Sequence, residues 1–257
     1  MPDLIRYARL GGPAFAPWAR LDGERAELLD RAPWDGGRGT GEVVALASVS
    51  LECPVLPGKI FGIGKNYRAH ATEMGGDVPT EPLVFEKARS SLLGPGGTVI
   101  LPKESARVDY EAELGVVIGK RCRRVPVDRA LEHVLGYSPV CDVTARDFQL
   151  KDGQWTRAKG FDTFCPVGPV ITCGLDATNL DIVLRLNGEK RQHASTAQMV
   201  FDVARIVSHV SSFATLEPGD LIATGTPDGV GPLSSGDLVE IVIEQLGTLT
   251  FRVARED

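Results

Sequence analysis

Val108-Asp-Tyr-Glu-Ala-Glu-Leu-Gly-Val-Val-Ile118 alternates from Tyr110 onward. In an extended chain Tyr110, Ala112, Leu114, Val116 and Ile118 fall on one face and Asp109, Glu111 and Glu113 on the other. No basic residue separates the three acids. Like charges at neighbouring positions of one strand face repel, and a divalent cation bound between them reverses that cost. A further acid, Asp142, follows in Tyr137-Ser-Pro-Val-Cys-Asp-Val-Thr-Ala-Arg-Asp147. Two carboxylates from one strand and a third from elsewhere suit such an ion. The same alternation also describes any half-exposed strand with its acids in water, so the choice rests on the surrounding sequence.

The 257 residues, 43% of them hydrophobic, are near the upper limit of one hydrophobic core and fit one large domain with a small appendage. With 34 acidic against 28 basic residues the chain offers no basic field for phosphate backbones, which excludes nucleic acid as a partner class. No apolar run approaches the ~20 residues that span a bilayer, and the N-terminus lacks a basic segment followed by an apolar one, so no membrane partner and a cytoplasmic location are expected. The five cysteines, Cys53, Cys122, Cys141, Cys165 and Cys173, include no Cys-x-x-Cys pair and read as reduced. The histidines His70, His133, His193 and His209 never fall at His-x-x-x-His spacing, so zinc is not announced. A metal here would be a hard one with oxygen ligands: Mg²⁺, Mn²⁺ or Ca²⁺.

Along the chain, short strand-like pieces up to about residue 53 form a small N-terminal domain, and Pro54, Pro57 and Gly58 precede a new strand at Ile60. The expected boundaries are 1–53 and 54–257. Asn66 is placed to cap a two-turn helix closing on Gly75, which puts His70 and Glu73 on one face. That pair suits water activation, with Glu73 taking a proton while His70 orients the water, and equally suits an exposed polar helix face. Pro126 to Gly136 has the apolar spacing of a helix, and Ser195 or Thr196 could cap another running through Val210. Asn187-Gly188 is a hairpin turn, and the tail returns to strands. Strands dominate, so the fold class is α+β with a mostly antiparallel or mixed sheet core and few short helices.

Five motifs then line up in order: Gly64-Lys-Asn-Tyr-Arg-Ala-His-Ala-Thr-Glu73, Asp109-Tyr-Glu-Ala-Glu-Leu114, Asp142-Val-Thr-Ala-Arg-Asp147, Trp155-Thr-Arg-Ala-Lys-Gly-Phe-Asp162 and Pro218-Gly-Asp-Leu-Ile-Ala-Thr-Gly-Thr-Pro-Asp-Gly-Val-Gly231. With these the segment from Lys59 to Val253 resembles the fumarylacetoacetate hydrolase family, in its acylpyruvase and 2-hydroxyhepta-2,4-diene-1,7-dioate isomerase-like branch. The resemblance implies a β-roll catalytic domain, a homodimer, and Mg²⁺ or Mn²⁺ held by Glu111, Glu113 and Asp142. It implies a water-activating His70–Glu73 dyad on a lid flanked by Gly62, Gly64, Gly75 and Gly76, and a Lys159 that faces the oxo-acid group. It places Thr226 and Gly225 on the substrate carboxylate. Arg146 and Gln149 are left either to contact the distal group or to support Asp142. Tyr67 is read as packing.

One departure stands in the core: many relatives carry Lys-Pro before two small hydroxyl residues, where this chain has Lys87-Ala-Arg-Ser-Ser91. Arg89 is read as a surface residue, the alternative being recognition of a second carboxylate. The implied activity is metal-dependent hydrolysis of acylpyruvate-type 2,4-dioxo acids to pyruvate and a carboxylic acid, with oxaloacetate decarboxylation as a possible second activity. The alternatives are isomerisation or decarboxylation of dienedioates in aromatic catabolism, and, in a different class, a non-catalytic metal-binding protein.

Overall fold

The computed structural model describes residues 4–11 and 18–256. Strand Ala112–Ile118 is its organising element. All seven residues are buried, so the half-exposed reading fails; the second face is covered as well. Leu114, Val116 and Ile118 enter the main core with Ile182, Leu184, Ile241, Leu249 and Phe251, while Val117 points into a second core with Val140, Ile171, Leu221 and Ile60. One strand thus contributes to both layers of apolar packing.

Among the described residues the largest sheet has eleven strands and runs, in spatial order, Gly39–Ala45, Arg25–Leu29, Trp18–Asp22, Ile5–Gly11, Ile171–Cys173, Val134–Cys141, Ala112–Ile118, Leu221–Ala223, Ile60–Gly64 and Leu83–Lys87, with Ser50–Glu52 also paired to Ile5–Gly11. The N-terminal strands therefore continue the edge of the large sheet, Ile5 opposite Cys173. A five-stranded sheet of Glu189–Ser195, Asp181–Leu186, Leu238–Ile243, Gly247–Arg255 and Thr98–Leu101 supplies the facing layer. Most pairs are antiparallel, but Leu221–Ala223 runs parallel to Ile60–Gly64, and Gly247–Arg255 to Thr98–Leu101, so the sheets are mixed, as expected.

A small third sheet decides where the site lies. It joins Thr144–Ala145, Val108–Tyr110 and Gly231–Pro232. The expected single strand from Tyr110 to Ile118 is broken at Glu111, where the chain leaves the small sheet for the large one. Its neighbour makes the same crossing in reverse between Cys141 and Thr144, and a third crossing runs from Ala223 to Gly231. The Asp142 amide donates to the Glu111 carbonyl at 2.9 Å across this seam. Three chain crossings lie side by side, and the backbone there is released from ladder pairing.

The helices are short: α1 Arg68–Glu73, α2 Arg146–Asp152, α3 Thr156–Gly160 and α4 Val203–Phe213. Three expectations change. Asn66 does not cap α1; its buried amide instead spans to Phe201 and the Thr224 carbonyl. Pro126 to Gly136 forms only a 3-10 turn over Val127–His133, because Val134 onward pairs with Ala112–Ile118 and the ladder takes the residues a helix would need. Ser195 caps only a 3-10 turn, Thr196–Gln198. Thr196 is tied to Leu180 and Ala177, and Val200 donates to the Asn66 carbonyl, so the chain cannot continue as a helix until Asp202 caps α4. The Asn187-Gly188 hairpin forms as read, with φ of 54° and 83° at the two turn residues. All five cysteines are free and buried. No helix among the described residues is long and apolar enough to cross a membrane.

Gly115 shows how tightly the central strand is held: a Cβ there would meet Val140 Cγ2 at 2.4 Å and the Ser138 carbonyl oxygen at 2.8 Å. Gly115→Ala is expected to cost roughly 1–3 kcal/mol by overpacking, or about 2–4 °C per kcal/mol in a domain of this size. A thermal midpoint equal to wild type would show that the two layers are looser than this packing implies.

Candidate active site and metal centre

The seam opens into a cavity of about 170 Å³. Its base is formed by Glu111, Glu113 and Asp142, all buried, and one carboxylate oxygen from each lies within 4.8 Å of the other two. Asp109, first in the acidic run, turns away to Arg107 and Arg146 at 2.9 Å each. The expected trio is therefore brought together and the neighbouring acid excluded.

Two ammonium groups are buried against these three carboxylates. Lys159, from α3, donates to Glu111 Oε2 at 2.7 Å and Asp142 Oδ2 at 2.6 Å. Lys87, at the end of its strand, donates to Asp142 Oδ1 at 2.6 Å and to the Lys159 carbonyl, with a side chain that is 0% exposed. Arg146 Nη2 approaches Glu111 Oε1 at 2.6 Å. The charges are unevenly compensated. Burial pushes the Glu111 carboxyl upward, yet Lys159 and Arg146 outweigh it and hold the group well below the usual carboxylate range. Burial, then Asp142 and Glu111, hold the Glu113 carboxyl well above that range. For Lys159, burial opposes the charge, and Asp142 and Glu111 more than restore it.

Among the described residues Glu113 has only the Gly225 amide, 2.8 Å from Oε2, as a hydrogen-bond donor. This corrects the place expected for Gly225. Its N–H serves Glu113 and is not free for a substrate, and its φ of 100° explains why a glycine stands there. Thr226, the next residue, does line the cavity. An all-oxygen donor set with one carboxylate left without a cation fits a hard divalent ion such as Mg²⁺ or Mn²⁺.

His70 and Glu73 meet as expected, Nδ1 lying 3.2 Å from Glu73 Oε2. Their order is reversed, however. His70 is on the cavity wall, whereas Glu73 stands behind it and accepts from the Gly229 amide at 3.0 Å. The arrangement suits His70 as the proton acceptor and Glu73 as its orienter. Of the lid glycines, Gly62 and Gly64 are not hinges. They make room for the rings of Phe85 and Trp155, which a Cβ would approach within 2.2 and 2.7 Å respectively. Only Gly75 and Gly76 lie beyond α1, and Asn66 pins its start.

Arg146 lines the cavity, pairs with Asp109 and Glu111 and donates to Gln149 Oε1 at 3.0 Å, so the carboxylate it braces is Glu111 and not Asp142. Gln149, which accepts this bond, also lines the cavity. Arg89 is exposed, as read, and Tyr67 is buried. Lys65, which the sequence did not single out, lines the cavity with a φ of 56° and has no carboxylate partner among the described residues. Lys87 has no role in the sequence reading, where it only opens the departing stretch that runs to Ser91.

The chain is similar to known proteins over nearly its whole length. The profile described as "Fumarylacetoacetate (FAA) hydrolase C-terminal" matches residues 59–254, and "Rv2993c-like, N-terminal" matches residues 4–54. Protein Rv2993c of Mycobacterium tuberculosis is 44% identical, covering 98% of this chain and 99% of its own. A 2,4-didehydro-3-deoxy-L-rhamnonate hydrolase of a Sphingomonas species is 49% identical over 77% of this chain and 73% of its own. Among solved structures, 2-hydroxyhepta-2,4-diene-1,7-dioate isomerase from Mycobacterium marinum superposes with a TM-score of 0.92 at 41% identity, covering 98% and 99% of the two chains.

The uncompensated Glu113 carries a prediction. Its raised folded-state pKa means that the unfolded chain gives up this proton first, so it removes stability from the metal-free protein as pH rises above the ordinary carboxylate value. Mn²⁺ at a hundredfold excess over its dissociation constant is expected to stabilise wild type by about 2.7 kcal/mol, roughly 5–10 °C. Glu113→Gln should be no less stable than wild type without metal and should lose most of that rise. A full Mn²⁺ response in the variant, read by scanning calorimetry, would remove Glu113 from the ligand set.

Proposed function

The chain belongs to the fumarylacetoacetate hydrolase family, and we propose that within it this protein hydrolyses acylpyruvate-type 2,4-dioxo acids to pyruvate and a carboxylic acid. The observation that carries this reading is the union, in one cavity, of the carboxylate trio with a histidine held by a carboxylate. Glu111, Glu113 and Asp142 would hold a divalent ion, which would supply Lewis-acid polarisation of the 2-keto acid group. The protein's own groups do the rest. Glu73 fixes the Nδ1 edge of His70, leaving Nε2 to take a proton from water as its oxygen attacks the C4 carbonyl. The C3–C4 bond then breaks, its electron pair passes to C3 as the pyruvate enolate, and the proton on His70 returns to that carbon. The ammonium of Lys159 offsets the charge that develops on the enolate oxygen. Thr226 and the Gln149 amide hold the substrate carboxylate.

A second reading is favoured by one observation. Lys65 offers an unpaired cation on the cavity wall, suited to a second carboxylate, as in a dienedioate isomerised or decarboxylated through the same enolate. Met74, Leu150 and Trp155 line the same cavity and suit an apolar acyl chain instead. A non-catalytic metal protein would have no use for a histidine oriented by Glu73.

Loss of enol absorbance on acetylpyruvate, fumarylpyruvate and oxaloacetate, with Mg²⁺ or Mn²⁺ against a chelator, tests the reaction. Metal-dependent release of pyruvate and acetate is expected; a product isomeric with its substrate would transfer the assignment to the second reading. Glu73→Gln should lower kcat by up to about 10⁴-fold, the loss when the carboxylate that orients a catalytic histidine is turned into an amide, while Mg²⁺ affinity by calorimetry stays at the wild-type value. Unchanged kcat would take Glu73 out of the mechanism. Lys65→Met should cut kcat/KM for fumarylpyruvate at least tenfold relative to acetylpyruvate, about 1.4 kcal/mol. An equal loss on both would show that Lys65 reads no distal carboxylate.

A further inference from the structure

Gln192 lies on the edge strand Glu189–Ser195 of the five-stranded sheet, a layer that contributes none of the cavity-lining residues. It is 1% exposed and fully engaged. Its Oε1 accepts from the Ala112 amide at 2.9 Å, and its Nε2 donates to Thr226 Oγ1 at 2.8 Å and to the Pro227 carbonyl at 2.9 Å. The orientation of this amide is not a free choice. A backbone N–H can only donate and a backbone carbonyl can only accept, so Ala112 requires the oxygen on one side and Pro227 requires the nitrogen on the other.

The consequence falls on Thr226. Because Gln192 Nε2 donates to its hydroxyl oxygen, that oxygen is an acceptor on the protein side, and its single proton must be given elsewhere. Thr226 is 2% exposed and lines the cavity, so the open direction leads to the substrate. An anion there receives a donor; with the opposite amide orientation it would face a lone pair. Gln192 also ties the two crossings that build the site. Ala112 stands between Glu111 and Glu113, and Thr226 lies on the crossing from Ala223 to Gly231. Gly229 presses the same crossing against this strand, where a Cβ would come within 2.3 Å of the Arg191 carbonyl oxygen.

We propose that Gln192 is a positioning residue: it aims the Thr226 hydroxyl proton at the substrate carboxylate and holds the Thr226 crossing in register with the metal-binding strand. The inference rests on the reading of Thr226 as a carboxylate donor. It is tested with Mg²⁺-loaded protein and oxalate, which carries the vicinal oxygens of a pyruvate enolate without needing turnover. Gln192→Glu is nearly isosteric and keeps an acceptor for Ala112, but its second oxygen faces Thr226 and draws the hydroxyl proton away from the cavity. Gln192→Met removes the donor without adding charge and serves where the glutamate variant fails to fold.

Thr226→Val is expected to weaken oxalate binding by about ten- to a hundredfold, the range for a hydrogen bond to a charged group. Gln192→Glu should weaken it comparably, and combining the two should weaken it no further than Thr226→Val alone. Mg²⁺ affinity should stay within about threefold of wild type, close to the scatter seen between independent sites. If the Gln192 variants bind oxalate normally, or their losses multiply with that of Thr226→Val, the positioning role is overturned while the Thr226 reading survives. If Thr226→Val itself binds oxalate normally, both fall.

Discussion

Repulsion among three buried carboxylates is the constraint to which the rest of the structure answers. Glu111, Glu113 and Asp142 share one small cavity, and removing such charges from water costs several kcal/mol per ion unless each is compensated. Lys159 and Lys87 are themselves buried to supply part of that compensation, and Arg146 braces Glu111. Glu113 is left over, served by one backbone amide. A site assembled only for stability would have replaced that acid by an apolar residue or given it a cation of its own. Its retention makes sense when a divalent ion completes the set.

The fold makes this assembly possible by changing sheets. Three neighbouring crossings leave the large sheet for the small one side by side, at Glu111, at Asp142–Val143 and between Thr224 and Val230. Freed from continuous pairing, the backbone can aim side chains into one space and lend amides such as that of Gly225 to them. Tight packing on both faces of Ala112–Ile118 then keeps the crossings aligned, so that geometry near the cavity depends on contacts far into both cores. Gln192 reaches this seam from the second layer, which links substrate-side and metal-side residues through a single amide.

Glu111 and Glu113, the His70–Glu73 pair, Asp142 and the lysine in α3 were legible because their signals are local: an acid alternation, an i,i+3 spacing and two short motifs. The mixed sheet class was legible for the same reason. What escaped was set by partners distant in the chain. Gln192 and Lys87 look like any polar residue in a strand until Thr226 and Asp142 are brought to them. The helices expected over Pro126–Gly136 and beyond Ser195 gave way to pairing with Ala112–Ile118 and to the ties around Asn66, neither visible in a local window. Even within the dyad, spacing showed that His70 and Glu73 meet, while the Gly229 amide determines which of them faces the cavity.

The most direct test of the account is anomalous diffraction at the manganese edge from crystals grown with Mn²⁺. The account predicts one strong peak within bonding distance of an oxygen from each of Glu111, Glu113 and Asp142. A density map in which those three carboxylates are bridged only by Lys159 and Lys87, with manganese absent or bound elsewhere, would contradict it.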